Sequence, residues 1–157
     1  MKLHLLRHAK TNPNSPSGKD FDRELLPRGY EQLKEFKAFY ADKPFQIGRI
    51  LCSSAVRTRQ TMEEIKALFP DVPLTYIDEL YLASSSELLQ IINQLQCPED
   101  LLVIGHNEGI SVLAFELTND ILLLKTAGYV GIEFAFEHSD YISKRTGNTL
   151  ETFRVRG

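Results

Sequence analysis

The segment LLVIGHNEG, residues 101–109, gives the strongest indication of the fold. It opens with a continuous apolar run that Gly105 ends. A strand that is apolar on both faces is typical of a parallel sheet covered by helices on both sides. The residues from about Glu108 to Leu117 predict a helix directly after this strand. This succession of strand and helix favours an α/β fold.

The same succession recurs toward the N-terminus. Earlier strands are predicted at residues 3–6, 49–52 and 73–77, and the helices between them begin at Pro27, near Val56 and at the capping box of Ser84 and Glu87. Two further strands, 129–136 and 149–156, are expected to form an antiparallel edge, with Gly147-Asn148 as the turn between them. We therefore expect a three-layer α/β/α sandwich with a mostly parallel central sheet, in a single domain over residues 1–157.

Composition and charge exclude several classes of protein. The net charge of −3 and the isoelectric point near 5.8 argue against a nucleic-acid surface, although a small basic pocket would vanish in these totals. No apolar run is long enough for a membrane span, and the apolar start is interrupted too early for a signal peptide, so we expect a cytoplasmic protein. Cys52 and Cys97 lack zinc-site spacing, and neither a metal nor a cofactor is predicted.

Three predicted strands each end in a residue that is cationic or can become so. Arg7 and His8 follow the first strand, Arg57 lies in the first turn after the second, and His106 follows the buried strand. The carboxyl ends of parallel strands meet at one edge of the sheet, where open α/β sheets bind ligands. Helix N-termini at the same edge also favour anions. The sequence therefore predicts an anion pocket, with phosphate as the natural ligand.

The residue types in this pocket suit phosphoryl transfer. Neutral imidazole can attack phosphorus and carry the phosphoryl group covalently, while arginine stabilises the charge on the phosphoryl oxygens. A cysteine mechanism is the competing chemistry, since Cys52 and Arg57 nearly form the C-x5-R pattern of cysteine phosphatases. The spacing here is one residue short and the loop contains no glycine, so Cys52 is interpreted as a buried structural residue.

Three segments, LLRHAKT, CSSAVRTRQT and VIGHNEG, resemble in that order the histidine phosphatase superfamily, also called phosphoglycerate-mutase-like. The short chain and R-H-A in the first segment resemble its small SixA-like branch. The resemblance implies that His8 accepts the phosphoryl group and that Arg7, Arg57 and His106 complete the catalytic set. It also implies that Arg23, in DRELLPRG, contacts phosphate, although this segment departs from the usual R-P-L-T. Asn107 is a further candidate substrate-binding residue.

One departure from the larger members of the superfamily bears on the substrate. Those enzymes carry an acidic residue that protonates an alkoxide leaving group, from a segment inserted after the third strand. In this chain that region is short, and Glu79 is the candidate general acid in it. A missing acid favours phosphohistidine, because imidazole is a better leaving group than an alkoxide.

The sequence therefore predicts a metal-independent phosphatase that forms a phosphohistidine on His8 and acts on phosphohistidine in a partner protein. The first alternative is a broad phosphomonoesterase of small molecules, with Glu79 as the acid. The second alternative is a module that binds phosphate or phosphoprotein without turnover. Neither nucleic acid nor a membrane is an expected partner.

Overall fold

The computed structural model describes residues 1–156. Six strands and four α-helices make up the fold: β1 (Lys2–Arg7), α1 (Pro27–Ala41), β2 (Arg49–Ser53), α2 (Val56–Ile65), β3 (Leu74–Ile77), α3 (Ser85–Leu95), β4 (Leu101–Gly105), α4 (Gly109–Thr118), β5 (Tyr129–Phe134) and β6 (Gly147–Phe153). Short 3-10 helices lie at Asp20–Asp22, Lys66–Leu68, Asp78–Leu80 and Ser139–Tyr141. None of the helices in this part of the chain is long and apolar enough to cross a membrane.

The six strands form one mixed sheet in the order β3-β2-β4-β1-β5-β6. The four strands β3, β2, β4 and β1 run parallel to one another, and β5 and β6 add an antiparallel edge beside β1. This is the mostly parallel sheet with an antiparallel edge that the sequence predicts. The strand order also places β1 next to β4 and β4 next to β2, so the ends that carry the candidate site residues are neighbours.

A helical layer covers each face of the sheet. Along β4 the side chains alternate, with Leu101 and Val103 packing on the side of α3 and α4 and Leu102 and Ile104 on the side of α1 and α2. All four are at most 1% exposed. Burial on both faces is the reason that β4 is apolar without alternation. The three-layer α/β/α arrangement is therefore confirmed.

The predicted turn at Gly147-Asn148 is wrong. Both residues lie inside β6, where they pair with Phe134 and Glu133, and the connection from β5 runs through the 3-10 helix Ser139–Tyr141. A Cβ at Gly147 would lie 2.5 Å from a methyl carbon of Ile132, so glycine permits close packing in the strand. The glycine signal therefore reflects the sheet rather than a turn.

The loop between β1 and α1 crosses the sheet edge that holds the candidate site. Thr11 forms an isolated antiparallel bridge with Leu25, and the Asn12 amide donates to the carbonyl of Glu24 at 2.8 Å. The loop is thus closed at its base. The 3-10 helix Asp20–Asp22 packs against α2, and this contact brings Asp20 and Arg23 to the strand ends.

Candidate active site

His8 follows β1 directly and lies in a buried position with its ring orientation fixed. Its Nδ1 is 2.7 Å from the carbonyl oxygen of Ala9, and because a carbonyl only accepts, Nδ1 carries the hydrogen. The lone pair is therefore on Nε2. Burial, with smaller contributions from the nearby His106 and Arg57, lowers the pKa of His8 to about 3, although the hydrogen bond to Ala9 acts in the opposite direction. His8 is neutral near pH 7, as a nitrogen nucleophile must be.

His106 lies beside His8, with the two ring centroids 5.4 Å apart. Its Nε2 is 2.8 Å from the hydroxyl of Ser53, the last residue of β2, whose oxygen also accepts a hydrogen bond from the Ala55 amide. The Nδ1 of His106 makes no hydrogen bond to any described residue. Burial, and then Arg57, lower the pKa of His106 to about 3. A second neutral imidazole thus lies next to the first.

Arg7 and Arg57 supply the positive charge around the two histidines. Arg7 ends β1, and its Nη1 donates to the carbonyl oxygen of Leu124 at 3.1 Å. Burial and the charge of Arg57 lower the pKa of Arg7. Arg57 is only 3% exposed although it lies in the first turn of α2. A cation at a helix N-terminus is unfavourable, so this position requires anionic partners.

Asp20 provides one such partner and links Arg57 to Arg23. Its carboxylate accepts from Arg57 Nη2 at 3.0 Å and from Arg23 Nη1 at 2.9 Å, and the hydroxyl of Tyr81 donates to it as well. The Tyr81 hydrogen bond, together with those from the two arginines, holds the pKa of Asp20 well below its usual range. Arg23 is fixed further by Asn12 and Thr11, so the predicted third arginine does reach the site.

These side chains line one cavity of about 390 Å³, which we call the anion cavity. Its lining comprises Arg7, His8, Lys10, Thr11, Asp20, Arg23, Arg57, Leu82, His106, Asn107 and Thr126. Four cationic side chains face one carboxylate, so the cavity attracts anions. Among residues 1–156, no group of three or more His, Cys, Asp or Glu side chains could hold a metal ion.

Asn107 lines the anion cavity, and both ends of its side-chain amide are also used within the protein. Its Nδ2 donates to the carbonyl oxygen of Leu124 at 2.9 Å, and its Oδ1 accepts from the Ser111 hydroxyl at 2.6 Å. The structure therefore places the predicted substrate-binding Asn107 at the cavity wall. It shows, in addition, that this side chain holds the segment around Leu124 in place.

The structure does not bring Glu79 to the anion cavity. Glu79 lies in the 3-10 helix Asp78–Leu80 and lines a separate cavity together with Glu87 and Gln90 of α3. The acid that the phosphomonoesterase alternative requires is thus absent from the described lining of the anion cavity. Cys52 is fully buried, its thiol donates to backbone carbonyls, and burial raises its pKa. A buried protonated thiol is not a nucleophile.

Three polar residues of the site were not among the predicted candidates. Ser53 lies in the segment CSSAVRTRQT without being a predicted site residue, yet its hydroxyl lies 2.8 Å from His106 Nε2. Asp20 lies in a loop that carries no periodic signal. Tyr81 follows a 3-10 helix, and its ring packs edge-on against His106 with centroids 5.5 Å apart. Ser53 ends β2, and its position at a strand end is a signal that the sequence offers, whereas the two loop residues have no such signal.

Comparisons with known proteins agree with this arrangement. The sequence profile of the histidine phosphatase superfamily (branch 1) matches residues 3–81. A functionally uncharacterised protein of Mycobacterium tuberculosis is 33% identical over 116 residues, which cover 73% of this chain and 70% of that protein.

Two solved structures share the fold along almost the whole chain. A protein assigned as the phosphohistidine phosphatase SixA of Nakamurella multipartitia superposes with a TM-score of 0.85 at 19% identity, covering 98% of this chain and 95% of that one. The protein histidine phosphatase SixA in complex with tungstate gives a TM-score of 0.74 at 18% identity, covering 97% and 96%. These superpositions confirm a SixA-like fold of the phosphoglycerate-mutase-like type. By its sequence profile and its fold, this chain belongs to the histidine phosphatase superfamily, branch 1.

Proposed function

We propose that this chain is a phosphatase that forms a phosphohistidine on His8 and that its substrates are proteins carrying phosphohistidine. Membership of the superfamily supports phosphatase activity. The observation that carries the proposed mechanism is the state of His8. It is neutral, its Nδ1 is tied to the Ala9 carbonyl, and its ring lies 5.4 Å from that of His106 within one cationic cavity. The Nε2 lone pair is thereby left for attack on phosphorus.

In the first step, His8 Nε2 forms a bond to phosphorus and the bond to the leaving nitrogen breaks. The electron pair stays on the leaving imidazole, which takes a proton from solvent. In the second step, a water oxygen attacks the phosphorus, the bond to Nε2 breaks, and inorganic phosphate leaves. The protons of that water pass to phosphate and solvent, so His8 returns to its starting state. Splitting the transfer in this way replaces one difficult step by two easier ones.

The arginines and His106 stabilise the charge of the phosphoryl oxygens in both steps. Arg7 and Arg57 line the cavity and carry positive charge that does not depend on pH near neutrality. His106 lies in the same lining, and the Ser53 hydroxyl, 2.8 Å from its Nε2, fixes the orientation of its ring. Fixed donors of this kind act without proton transfer, so the proposed reaction needs no metal ion.

The absence of a suitable acid favours phosphohistidine over phosphoesters. Asp20 is the one carboxylate among the described residues of the lining, and its hydrogen bonds to Tyr81, Arg23 and Arg57 hold its pKa far below neutral. It therefore carries no proton to give to an alkoxide near pH 7. In phosphohistidine, the ring nitrogen that is not bonded to phosphorus can take a proton from water near neutral pH, so the ring leaves as neutral imidazole without an acid from the protein.

The structural relatives support the same substrate class. One of them is a protein histidine phosphatase that holds tungstate, an oxyanion. The anion cavity of this chain has the charge to accept such an anion, since four cationic side chains line it. We infer that this chain, like that relative, binds an oxyanion in its cavity and acts on phosphohistidine in proteins.

The test is phosphate release from free phosphohistidine, from a phosphohistidine-bearing protein and from p-nitrophenyl phosphate, with chelator present. We expect faster release from both phosphohistidine substrates than from the ester. His8→Ala should lower the rate by about 10³-fold or more, because the nucleophile is lost. His138→Ala, at an exposed histidine remote from the cavity lining, is the matched control and should keep full activity.

Rapid quench with labelled substrate should trap an acid-labile phosphoryl group on the wild type and none on His8→Ala. Preferred hydrolysis of the ester would contradict the substrate class, and loss of that activity in Glu79→Gln would establish the phosphomonoesterase alternative. Phosphate binding by wild type and His8→Ala alike, with no turnover of any substrate, would instead establish a binding module.

A further inference from the structure

An apolar groove lies next to the anion cavity and follows α4. We call it the α4 groove; it encloses about 390 Å³, and the residues that matter here are Asn107, Val112, Phe115, Ile121, Leu122 and Leu123. Its floor is the outward face of α4, and its wall is the extended segment 121–123. Asn107 lines both the groove and the anion cavity. The two are therefore adjacent, and Asn107 lies at their boundary.

The groove exposes large apolar side chains to solvent. Ile121 is 80% exposed and Leu123 is 79% exposed, while Val112 and Phe115 on α4 are each more than two-fifths exposed. Scattered apolar residues are normal on a protein surface, whereas a concave cluster of them marks a binding site. The anion cavity differs sharply, since Leu82 is the one large apolar residue in its described lining.

The groove wall is fastened to the phosphate-binding residues. The carbonyl oxygen of Leu124 accepts from Arg7 at 3.1 Å and from Asn107 at 2.9 Å. The amide of Leu124 donates to the Ser111 hydroxyl at 3.0 Å, and that hydroxyl donates to Asn107. Segment 121–123 is thus held at its C-terminal end by the same side chains that line the anion cavity. The groove is formed before any ligand binds.

We propose that the α4 groove binds the apolar face of the helix that carries the phosphohistidine in the substrate protein. This inference rests on the proposed function, because it takes the phosphoryl group in the anion cavity as its starting point. Whatever is attached to that group must leave the cavity through its mouth, and Asn107 connects the mouth to the groove. An apolar partner surface there removes the exposed side chains from water.

The length of the groove fits a helix. From Asn107 it runs past the start of α4 to Phe115, and the helical part from Gly109 to Phe115 is about 9 Å long at 1.5 Å per residue. On a partner helix, residues four and seven positions from the phosphohistidine lie about 6 and 10 Å along the axis on nearly the same face. Apolar side chains at those two positions reach the groove while the phosphoryl group stays in the cavity. Grooves of this kind commonly accept an amphipathic helix through such anchors.

The test compares two helical peptides that carry phosphohistidine at their centre. One has leucine at four and seven positions on both sides of the phosphohistidine, and the other has serine there. Wild type should hydrolyse the leucine peptide with a kcat/KM at least ten-fold higher, through a lower KM. Ile121→Asp and Leu123→Asp should abolish this preference and leave kcat/KM for free phosphohistidine within two-fold. Both side chains are exposed, so neither substitution removes core packing.

Leu150→Asp is the matched control, since Leu150 is 41% exposed on β6 and lies outside the described groove lining. It should keep the preference for the leucine peptide. Equal hydrolysis of the two peptides by wild type, alongside rapid hydrolysis of free phosphohistidine, would overturn the groove and leave the proposed function intact. Failure to hydrolyse any phosphohistidine substrate would overturn both. Dimers of wild type that Leu123→Asp dissociates would assign the groove to a second copy of this chain, and so overturn the inference.

Discussion

Arg57 and Asp20 meet through two hydrogen bonds, one to the backbone and one to the side chain. Arg57 Nη1 donates to the Asp20 carbonyl oxygen at 2.8 Å, and Nη2 donates to the Asp20 carboxylate at 3.0 Å. Arg57 is buried, whereas the Asp20 side chain is 44% exposed. A carboxylate from the β1–α1 loop therefore occupies part of an arginine cluster that can otherwise bind a phosphoryl group. The loop itself lowers the positive charge of the anion cavity.

Replacing Asp20 should strengthen the binding of phosphate. Asp20→Asn removes one negative charge but keeps the size of the side chain and the carbonyl that accepts from Arg57. We expect inorganic phosphate to inhibit the variant with a Ki about 3- to 10-fold lower, because a partly screened charge a few ångströms away contributes about 1 kcal/mol. Competitive inhibition at low ionic strength measures this. Higher salt should shrink the difference.

Asp22→Asn is the control for Asp20→Asn. Asp22 lies in the same 3-10 helix, and its carboxylate accepts from the Ser17 hydroxyl. Asp22→Asn changes the net charge by the same amount, but at a carboxylate that does not bind Arg57. It should leave the Ki of phosphate within two-fold of the wild-type value. A weaker inhibition by phosphate in Asp20→Asn would show instead that the carboxylate orients Arg57 for binding.

Ser53 should matter for turnover through His106. The Ser53 hydroxyl is 2.8 Å from His106 Nε2 and is fully buried, so Ser53→Ala leaves that nitrogen without its partner. We expect kcat to fall about ten-fold with a smaller change in KM, since a misplaced donor stabilises the transition state less. Steady-state kinetics on free phosphohistidine checks the split between kcat and KM.

The neighbouring Ser54 offers a matched control. Its hydroxyl is buried and makes no hydrogen bond to a described residue. Ser54→Ala therefore removes the same group one position away and should keep kcat within two-fold. Equal losses of kcat in Ser53→Ala and Ser54→Ala would mean that any change at the end of β2 impairs turnover. That result would refute the role of the Ser53 hydroxyl in orienting His106.

The site residues at the strand ends could be predicted from the sequence, because the order of strands and helices alone indicates that they lie together. His8, Arg57 and His106 come directly after parallel strands or in the first turn of the following helix, and such strands end at one edge of the sheet. The apolar run 101–105 likewise gives the bounds of β4, because only a strand covered on both faces requires five such residues in succession.

The loop residues of the site could not be predicted in this way. Asp20 reaches Arg57 across 37 residues of sequence, and Tyr81 reaches Asp20 across 61. Neither residue lies in a regular helix or strand, where the hydrophobic periodicity of the sequence would indicate which way its side chain points. The contact is therefore visible only in the folded loop. The predicted turn at Gly147-Asn148 was wrong for a related reason. A glycine that is required for close packing against Ile132 looks the same in the sequence as a glycine that is required for a turn.

The buried neutral imidazole of His8 should make the protein less stable in acid. His8 has a pKa of about 3 in the folded protein, against 6.5 in the unfolded chain. Between pH 6.5 and 3, His8 is therefore protonated in the unfolded chain but not in the folded protein. The contribution of His8 to stability is complete above pH 6.5 and declines as the pH falls from there toward 3. At pH 5 the loss is about 2 kcal/mol, at 1.36 kcal/mol per pH unit.

Urea unfolding of wild type and His8→Gln at pH 7.5 and pH 5.0 isolates this contribution. Glutamine does not titrate, so the free energy of unfolding of His8→Gln should fall by about 2 kcal/mol less than that of wild type over this range. Carboxylates and the other histidines act equally in both proteins and cancel in the difference. His138→Gln, in an exposed loop, serves as the reference substitution. An identical pH dependence in wild type and His8→Gln would mean that His8 takes up its proton as readily in the folded protein as in the unfolded chain, and a charged His8 at pH 5 could not be the attacking nucleophile.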